Sequence, residues 1–347
     1  MSEIKVNNIQ GLSGTHGPVM SGTVEMNSTG AMSLPRGDTT YRGGRGRGIF
    51  GGGRTSPEGI RDTIDYFTIA TLGNATDFGN LTTSTSEFGG CASSTRGIFM
   101  GGETFPTNIN VIQYITIQST GNTFDFGDLT LARRGTSCLS DNTRGICTAG
   151  SIAPTLTNFD TIDYVTIATT GNASDFGSLV DKSIYAANCA SSTRGIIAGG
   201  IPVYSSPYAE TNVIQYLTIA STGNAQDFGD LNNKVDGAVS ASNSTRGLFF
   251  GGSNAGNGGS PGMLTAIDYI TIASLGDAID FGDCVNGAYL SGAASSPTRA
   301  IFGDMIGDFN IISYVTINTL GDAQDFGDLD LARNQTAACS DSHGGLG

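Results

Sequence analysis

The chain has 347 residues, a formal net charge of −14 and only 14% charged residues, with 52 glycines and no tryptophan. This acidic balance opposes binding to nucleic acid, because phosphate contacts need clustered Lys and Arg. No stretch approaches the ~20 apolar residues of a membrane span, and the first residues lack the apolar segment of a signal peptide. The excess of Gly, Thr, Ser and Asn is typical of short strands joined by tight turns.

Residues 1–40 differ in pattern from the rest of the chain. They contain short alternating pieces such as residues 4–9, broken by Gly, Ser and Asn, and forty such residues bury too little apolar surface to fold alone. We therefore expect them to pack on the main domain, on copies of themselves or on another protein. Arg42, Arg45 and Arg47 follow and are interpreted as a junction that pairs with the acidic surface; an RGG-type contact with RNA is the alternative.

From residue 41 onward one sequence pattern is repeated six times. Each unit has a Thr-Arg-Gly turn, an apolar strand ending in Gly-Gly, a variable loop, a Tyr strand, a Gly-Asn or Gly-Asp turn, an Asp-Phe-Gly strand and a strand rich in Ala, Gly, Ser and Cys. A period near 50 residues indicates a repeat architecture. The strand tyrosines are Tyr66, Tyr114, Tyr164, Tyr216, Tyr269 and Tyr314.

Four short strands in each of six units predict an all-β fold, a six-bladed β-propeller over residues 41–347 preceded by an extended N-terminal segment over residues 1–40. The small side chains of the last strand in each unit suit the crowded inner rim. The first unit lacks that strand, so residues 336–340 are expected to supply it and to close the ring, which removes free sheet edges. Neither alternating face of the Tyr strand is wholly polar, so both sides of each sheet should be covered.

Four cysteines, Cys91, Cys138, Cys189 and Cys339, are predicted to occupy the same place in successive repeats. Equivalent positions in a ring have similar surroundings and do not face one another. We therefore expect small buried thiols and no disulfides.

The Asp-Phe-Gly sequence occurs six times, which argues against a kinase-type catalytic aspartate, because a catalytic residue is needed once per site and a structural one once per blade. We expect each aspartate to pair with a Thr-Arg-Gly arginine on one face of the ring and so to fix the spacing of the blades. The predicted arginines are Arg96, Arg144, Arg194, Arg246 and Arg299, and the predicted aspartates are Asp77, Asp125, Asp175, Asp227, Asp280 and Asp325.

The sequence predicts no catalytic residue, no metal site and no cofactor. Both histidines, His16 and His343, lie outside the predicted blade interiors, so a His-based triad or a His-rich metal site is not available within the propeller. Two alternatives stay open. Acidic turns offer oxygen ligands to Ca²⁺, although an EF-hand spacing is absent, and the plentiful aspartates allow a carboxylate pair for glycoside cleavage.

Recognition on a repeat scaffold usually lies where the repeats differ. The six variable loops are predicted to emerge on one face, opposite the Arg and Asp turns. The candidate binding residues in these loops are Tyr204, Tyr208, Phe105, Asn254 and Asn257, and the tyrosines suit stacking on sugars or peptides. The alternative is that the loops only connect strands.

The pattern resembles the kelch repeat, in which apolar residues precede Gly-Gly, a strand Tyr follows, and an aromatic residue and an Arg come later. Gly199, Gly200, Tyr216, Phe228 and the Ala-Arg-Arg ending at Arg134 stand at those places, with Phe where kelch units have Trp. The phrases Thr-Ile-Asp-Tyr-x-Thr-Ile-Ala and Asn-Ala-x-Asp-Phe-Gly-Asp-Leu, and the opening Ser-Glu-Ile-Lys-Val-Asn-Asn-Ile, are similar to Gly-rich repeat tail or tail-fibre structural proteins of marine phages, including cyanophages.

This resemblance implies a virion structural protein that is synthesised in the host cytoplasm and is not an enzyme. Residues 1–40 would contact other virion proteins, and the propeller would contact a virion protein or a host surface glycan or protein through its variable loops. A homo-oligomer in the particle is expected. The alternatives are a kelch-like protein-interaction scaffold and a glycan-active enzyme that uses carboxylates.

Overall fold

A computed structural model of the chain describes residues 46–55, 59–153, 155, 157–203, 209–255, 262–303 and 310–346. These residues form the predicted all-β propeller of six antiparallel sheets. The predicted N-terminal segment, residues 1–40, lies outside the described residues, so its assignment as a separate domain stays a prediction.

Each blade has an inner, a second, a third and an outer strand, in that order across the sheet. From blade 1 to blade 6, the inner strands are Ala337–Ser340, Gly89–Ala92, Ser137–Ser140, Ala187–Ala190, Val239–Ser242 and Ala293–Ser295. The second strands are Arg47–Gly51, Arg96–Met100, Arg144–Thr148, Arg194–Ala198, Arg246–Phe250 and Arg299–Gly303. The third strands are Thr63–Thr68, Val111–Thr116, Thr157–Thr166, Thr211–Thr218, Ala266–Thr271 and Ile311–Thr316. The outer strands are Thr76–Asn80, Phe124–Asp128, Ser174–Ser183, Gln226–Val235, Ile279–Asp283 and Gln324–Asp328.

Four short elements of the described chain lie outside this scheme. Arg54–Thr55 pairs with Gly59–Ile60, Ser151–Ile152 adds a fifth strand to blade 3, and Gly344–Leu346 forms one 3-10 turn. No helix in the described ranges has the length and apolar character needed to cross a membrane.

The predicted closure of the ring is confirmed. The C-terminal strand Ala337–Ser340 is the inner strand of blade 1 and pairs antiparallel with Arg47–Gly51. Every blade therefore has neighbours on both sides, which covers sheet faces that would otherwise be exposed.

The apolar core of the described residues contains six clusters that each lie between two adjacent blades, and a small seventh cluster of Ile184, Tyr185 and Ile201. Ile49 and Phe78 of blade 1, for example, pack with Phe99 and Ile115 of blade 2, and the five remaining interfaces have equivalent clusters. Both faces of each sheet are thus buried, as the alternation of the Tyr strands predicted. The ring rather than the single blade is the unit that excludes water.

All six cysteines are free and buried, which confirms the prediction of buried thiols. The register corrects one assignment. Cys91 and Cys189 stand opposite the first isoleucine of their second strands, but Leu139 holds that place in blade 3 and Cys138 precedes it by one residue. The predicted equivalence of Cys138 with Cys91 and Cys189 is therefore wrong by one position.

Candidate functional site

The propeller presents two faces with different connections. Arg47 at the start of the second strand stands opposite Thr68 at the end of the third strand, so the Thr-Arg-Gly turns and the Gly-Asn turns lie on one face, as predicted. We call this the turn face. The variable loops join the other ends of the same strands and lie on the opposite face, which we call the loop face.

On the turn face, six equivalent arginines bind differently from the prediction. Each guanidinium lies over the Tyr ring of its own blade, 4.3 to 5.0 Å from the ring centroid. Each Nη1 also donates to an Ile carbonyl of the next blade at 2.7 to 3.0 Å. The arginines are Arg47, Arg96, Arg144, Arg194, Arg246 and Arg299, and the last one bonds to Ile69 of blade 1, which completes the circle.

The predicted ion pairs with the Asp-Phe-Gly aspartates are therefore wrong. All six aspartates are exposed on the outer strands, and no ion pair among the described residues joins one of them to these arginines. The physical reason is geometric: the Tyr ring beside the arginine offers a cation–π contact, and a carbonyl lies within reach at the blade boundary. The arginines do connect neighbouring blades, as predicted, but their partner in the next blade is an Ile carbonyl and not an aspartate.

The Gly-Asn and Gly-Asp turns explain the rest of the recurring phrase. The Asn122 side-chain oxygen accepts a hydrogen bond from the backbone N–H of Asn80 in the preceding blade, at 3.0 Å, and the five equivalent turns do the same. The Asp-Phe-Gly glycine has a positive φ, and a Cβ there would collide with the backbone of that turn. The Phe packs edge-on against the strand Tyr of its blade.

Two arginines do form fully buried ion pairs, and they lie in the segments between blades. Arg133 contacts Asp163 at 2.9 Å and Arg333 contacts Asp65 at 3.0 Å, with no exposure of any of the four side chains. Both arginines come from Leu-Ala-Arg sequences, the place of the kelch-like arginine. The aspartates are the residues that precede the strand tyrosines of the next blade. The strand pattern alone does not predict that these acids form ion pairs.

The centre of the loop face has a ring that the sequence analysis missed. One residue from each blade, two or three residues before the inner strand, donates its N–H to the carbonyl of the equivalent residue in the preceding blade at 2.6 to 3.2 Å. Its six members, which we call the mouth ring, are Gln335, Glu87, Gly135, Tyr185, Gly237 and Leu290. All six have positive φ between 47° and 62°. In the sequence, the glycines of blades 3 and 5 are the indication of this ring, because a positive φ favours glycine.

Side chains of the mouth ring converge on Glu87. Tyr185 Oη donates to Glu87 Oε2 at 2.8 Å, and Gln335 Nε2 donates to Glu87 Oε1 at 3.0 Å. Arg134 Nη1 lies 3.3 Å from Glu87 Oε2 and 3.1 Å from Glu103 Oε2. Burial raises the pKa of Glu87, while the charge of Arg134 opposes that shift. The carboxylate is thus a hub that links blades 1, 2, 3 and 4.

A second carboxyl lies beside the mouth ring. Asp236 precedes Gly237, is almost fully buried, and accepts a hydrogen bond from Tyr289 Oη at 3.2 Å. Burial raises the pKa of Asp236 to about 7. The two acids show that carboxylates at this mouth lie in a drier environment than those of the turn face.

The mouth ring opens into a cavity of about 130 Å³ along the propeller axis. Its wall is made by the six inner strands, and all six mouth-ring residues line it. A smaller cavity of about 60 Å³ lies further along the inner strands, where His343 also lines the wall. We call the larger cavity the cup.

The turn-face end of the axis is closed by the C-terminal turn. His343 Nε2 donates to the Ala92 carbonyl at 2.8 Å, and Gly345 N–H donates to His343 Nδ1 at 3.1 Å. Burial lowers the pKa of His343, which favours this neutral form. Gly344 and Gly345 lie against carbonyls of three blades, where a Cβ would collide. The cup therefore opens to the loop face and is blocked at the turn face.

The predicted loop residues are only partly within the described chain. Phe105 is 65% exposed, and the Arg54 guanidinium lies 5.6 Å from its ring centroid. Asn254 is half-buried in the loop of blade 5. Tyr204, Tyr208 and Asn257 lie outside the described residues, so their predicted binding role is untested. No cluster of three or more metal-binding His, Cys, Asp or Glu side chains occurs in the described ranges.

Comparison with protein-family models finds no matching family, and comparison with curated proteins finds no matching protein.

Proposed function

We propose that this protein is a structural component of a phage particle, of the tail or tail-fibre type, in which the propeller is displayed for recognition through its loop face. The observation that carries the proposal is the contrast between the two faces. Recurring polar groups of the turn face hold neighbouring blades together, whereas polar side chains of the loop face surround an open cup. The sequence resemblance supplies the phage context.

The turn face offers a surface for contact with other proteins. At the Thr-Arg-Gly end of blade 1, the Gly46 N–H donates to Asp341 Oδ1 at 2.6 Å. Leu72, Leu275 and Leu320 lie at the turn tips of blades 1, 5 and 6, and each is more than half exposed. These three blades are neighbours because the ring is closed. This apolar arc suits contact with another virion protein or another copy.

The test is the protein composition of purified particles. Mass spectrometry should detect the full chain in particles, and a variant lacking residues 1–40 should be absent from them although its propeller melts like that of the full chain. Detection of the chain only in the host cytoplasm would favour the kelch-like interaction scaffold, for which the propeller fold is equally suitable.

A glycan-active enzyme is the third candidate, because buried carboxyls with raised pKa values, such as Glu87 and Asp236, resemble general acids. The contacts favour a structural role instead, since Glu87 holds three donors and Asp236 is bonded to a tyrosine. Hydrolysis of aryl glycosides that is lost in Glu87→Gln would establish the enzymatic function and contradict our proposal.

A further inference from the structure

The turn tips of the turn face differ between the two halves of the ring. The residue before the turn glycine is Leu in the consecutive blades 5, 6 and 1 and Thr in blades 2, 3 and 4. The leucines are Leu275, Leu320 and Leu72, and the threonines are Thr120, Thr170 and Thr222. All six side chains are exposed. Threonine is therefore compatible with this turn, and the fold does not require the three leucines.

The residue after the turn glycine varies in the same half of the ring. Asp277 and Asp322 stand there in blades 5 and 6, and Asn stands there in the other four blades. The Asp277 side-chain oxygen accepts the N–H of Asp230, a bond that Asn makes in those other blades. The turn therefore does not require the added negative charge. Two departures from the repeat coincide on neighbouring blades.

Each of these leucines lies at a tip that is bonded to an Asp-Phe-Gly strand. Gly73, which follows Leu72, donates its N–H to the Phe326 carbonyl of blade 6 at 3.0 Å. The turn glycines of blades 5 and 6 make the same bond to the strands of blades 4 and 5. The aspartates of these three strands, Asp227, Asp280 and Asp325, are exposed. Exposed leucines and exposed carboxylates therefore alternate along this part of the rim, and the exposed Ile279 in blade 5 adds apolar surface.

The chemistry of this rim favours one kind of occupant. Exposed leucines on consecutive blades suit apolar side chains. No ion pair of the described residues neutralises the aspartates beside them, so basic side chains complement this rim. The arginines of the same blades, Arg246, Arg299 and Arg47, are half-buried over tyrosine rings and bonded to the next blade. A second copy would bring aspartates against aspartates, and an anionic membrane surface is opposed by the same charge.

We propose that Leu72, Leu275, Leu320, Asp277 and Asp322, which we call the leucine–aspartate sector, form a docking site for a basic amphipathic segment of another protein. Apolar side chains of that segment cover the leucines, and its Lys or Arg side chains contact the carboxylates. The proposal rests on the proposed contact of the turn face with another virion protein, and it adds the chemistry of that partner.

The experiment uses a synthetic amphipathic helical peptide with leucines along one face and lysines on both sides of them. The peptide carries a fluorophore and is titrated with the full chain. A second peptide has glutamates in place of the lysines, and a third has serines in place of the leucines. Fluorescence anisotropy should show binding of the first peptide, with the other two weaker by about tenfold or more. Its affinity should fall as the salt concentration rises, because salt screens exposed charges.

The chain supplies matched substitutions for the sector. A first variant combines Leu72→Thr, Leu275→Thr and Leu320→Thr, which introduces the residue of the other three blades. It should weaken binding of the basic peptide about tenfold or more. A second variant combines Asp277→Asn and Asp322→Asn, which keeps an acceptor for the turn hydrogen bonds. It should weaken binding and reduce the dependence on salt.

The control variant combines Thr120→Ser, Thr170→Ser and Thr222→Ser at the other three tips and should bind the peptide like the original chain. The proposal is overturned if the basic peptide does not bind, if the glutamate peptide binds equally well, or if both sector variants bind unchanged. Self-association that is lost in the leucine variant would assign the sector to a second copy, and binding of phosphatidylcholine vesicles would assign it to lipid. Either result also overturns the proposal.

Melting curves of the variants distinguish loss of binding from loss of fold. None of the peptide results changes whether the chain is found in purified particles. Failure of the docking site is therefore distinguishable from failure of the proposed virion function.

Discussion

The turn face and the mouth ring are both built from one residue per blade, yet they differ in how strictly the residue type is kept. On the turn face, an arginine stands at all six positions and makes the same two contacts each time. In the mouth ring, six backbone hydrogen bonds are kept while the side chains are Gln, Glu, Gly, Tyr, Gly and Leu. The comparison teaches that the turn face depends on one residue type, whereas the mouth ring is held by backbone hydrogen bonds that several residue types can make.

Removing the arginine of a buried interblade pair should have the largest effect on stability. Arg333→Met leaves the Asp65 carboxylate without its partner at a site with no exposure, and such a change typically costs about 3–5 kcal/mol. Chemical denaturation measures the free energy of unfolding. Adding Asp65→Leu removes the unpaired charge and should restore much of the loss. If the single variant unfolds like the original chain, these pairs do not hold the scaffold.

Two glycines with nearly the same φ allow the cost of close packing to be measured separately from the cost of backbone strain. Gly127 has a φ of 147° and lies against the backbone of Gly171, whereas Gly171 has a φ of 157° and no atom within 4 Å of the position that a Cβ would occupy. Gly127→Ala should therefore destabilise the protein by about 1–3 kcal/mol more than Gly171→Ala, because overpacking adds to strain. Equal melting temperatures for the two variants would show that the turn does not press on the neighbouring blade.

The turn-face arginine should contribute less than either of these. Arg144→Ala removes a cation–π contact at 5.0 Å and a hydrogen bond to the Ile219 carbonyl at 2.9 Å, together worth about 1–2 kcal/mol. Asp175→Ala is the matched control, since the expected Arg–Asp pair is absent. If both substitutions lower the melting temperature equally, the aspartate does contribute to the turn face and the corrected assignment fails.

The mouth ring should show the smallest change in stability. Gln335→Gly relieves a left-handed φ but loses a hydrogen bond to Glu87, so we expect a net change within ~1 kcal/mol in the free energy of unfolding. Denaturation of this variant beside Arg144→Ala gives the comparison. A loss of several kcal/mol would mean that Gln335 is part of the scaffold and would remove the distinction between the two regions.

The sequence predicted the blade count and the ring closure well, because both depend on periodicity and on which unit lacks a strand. It failed where chemistry depends on what lies across a blade boundary. Arg144 and Asp175 recur in step and share one face, which made an ion pair reasonable, but only coordinates show that Tyr164 lies under the guanidinium. Gln335 and Glu87 are 248 residues apart in the chain. Ring closure brings their blades together, but the spacing of the repeats does not show that these two side chains touch.

The inner strands are short and similar in composition, so a shift of one residue hardly changes their sequence pattern. For this reason the sequence does not distinguish the position of Cys138 from that of Cys91. Such a shift moves a side chain to the other face of a strand. The mouth ring was recoverable in principle, since Gly135 and Gly237 stand at equivalent places before their inner strands.

The most direct test of the account is side-by-side chemical denaturation of Arg144→Ala and Gln335→Gly. The account predicts that Arg144→Ala lowers the free energy of unfolding by about 1–2 kcal/mol and that Gln335→Gly changes it by less than ~1 kcal/mol. Equal losses in the two variants would contradict the division between a turn face that needs its side chains and a mouth ring held by its backbone.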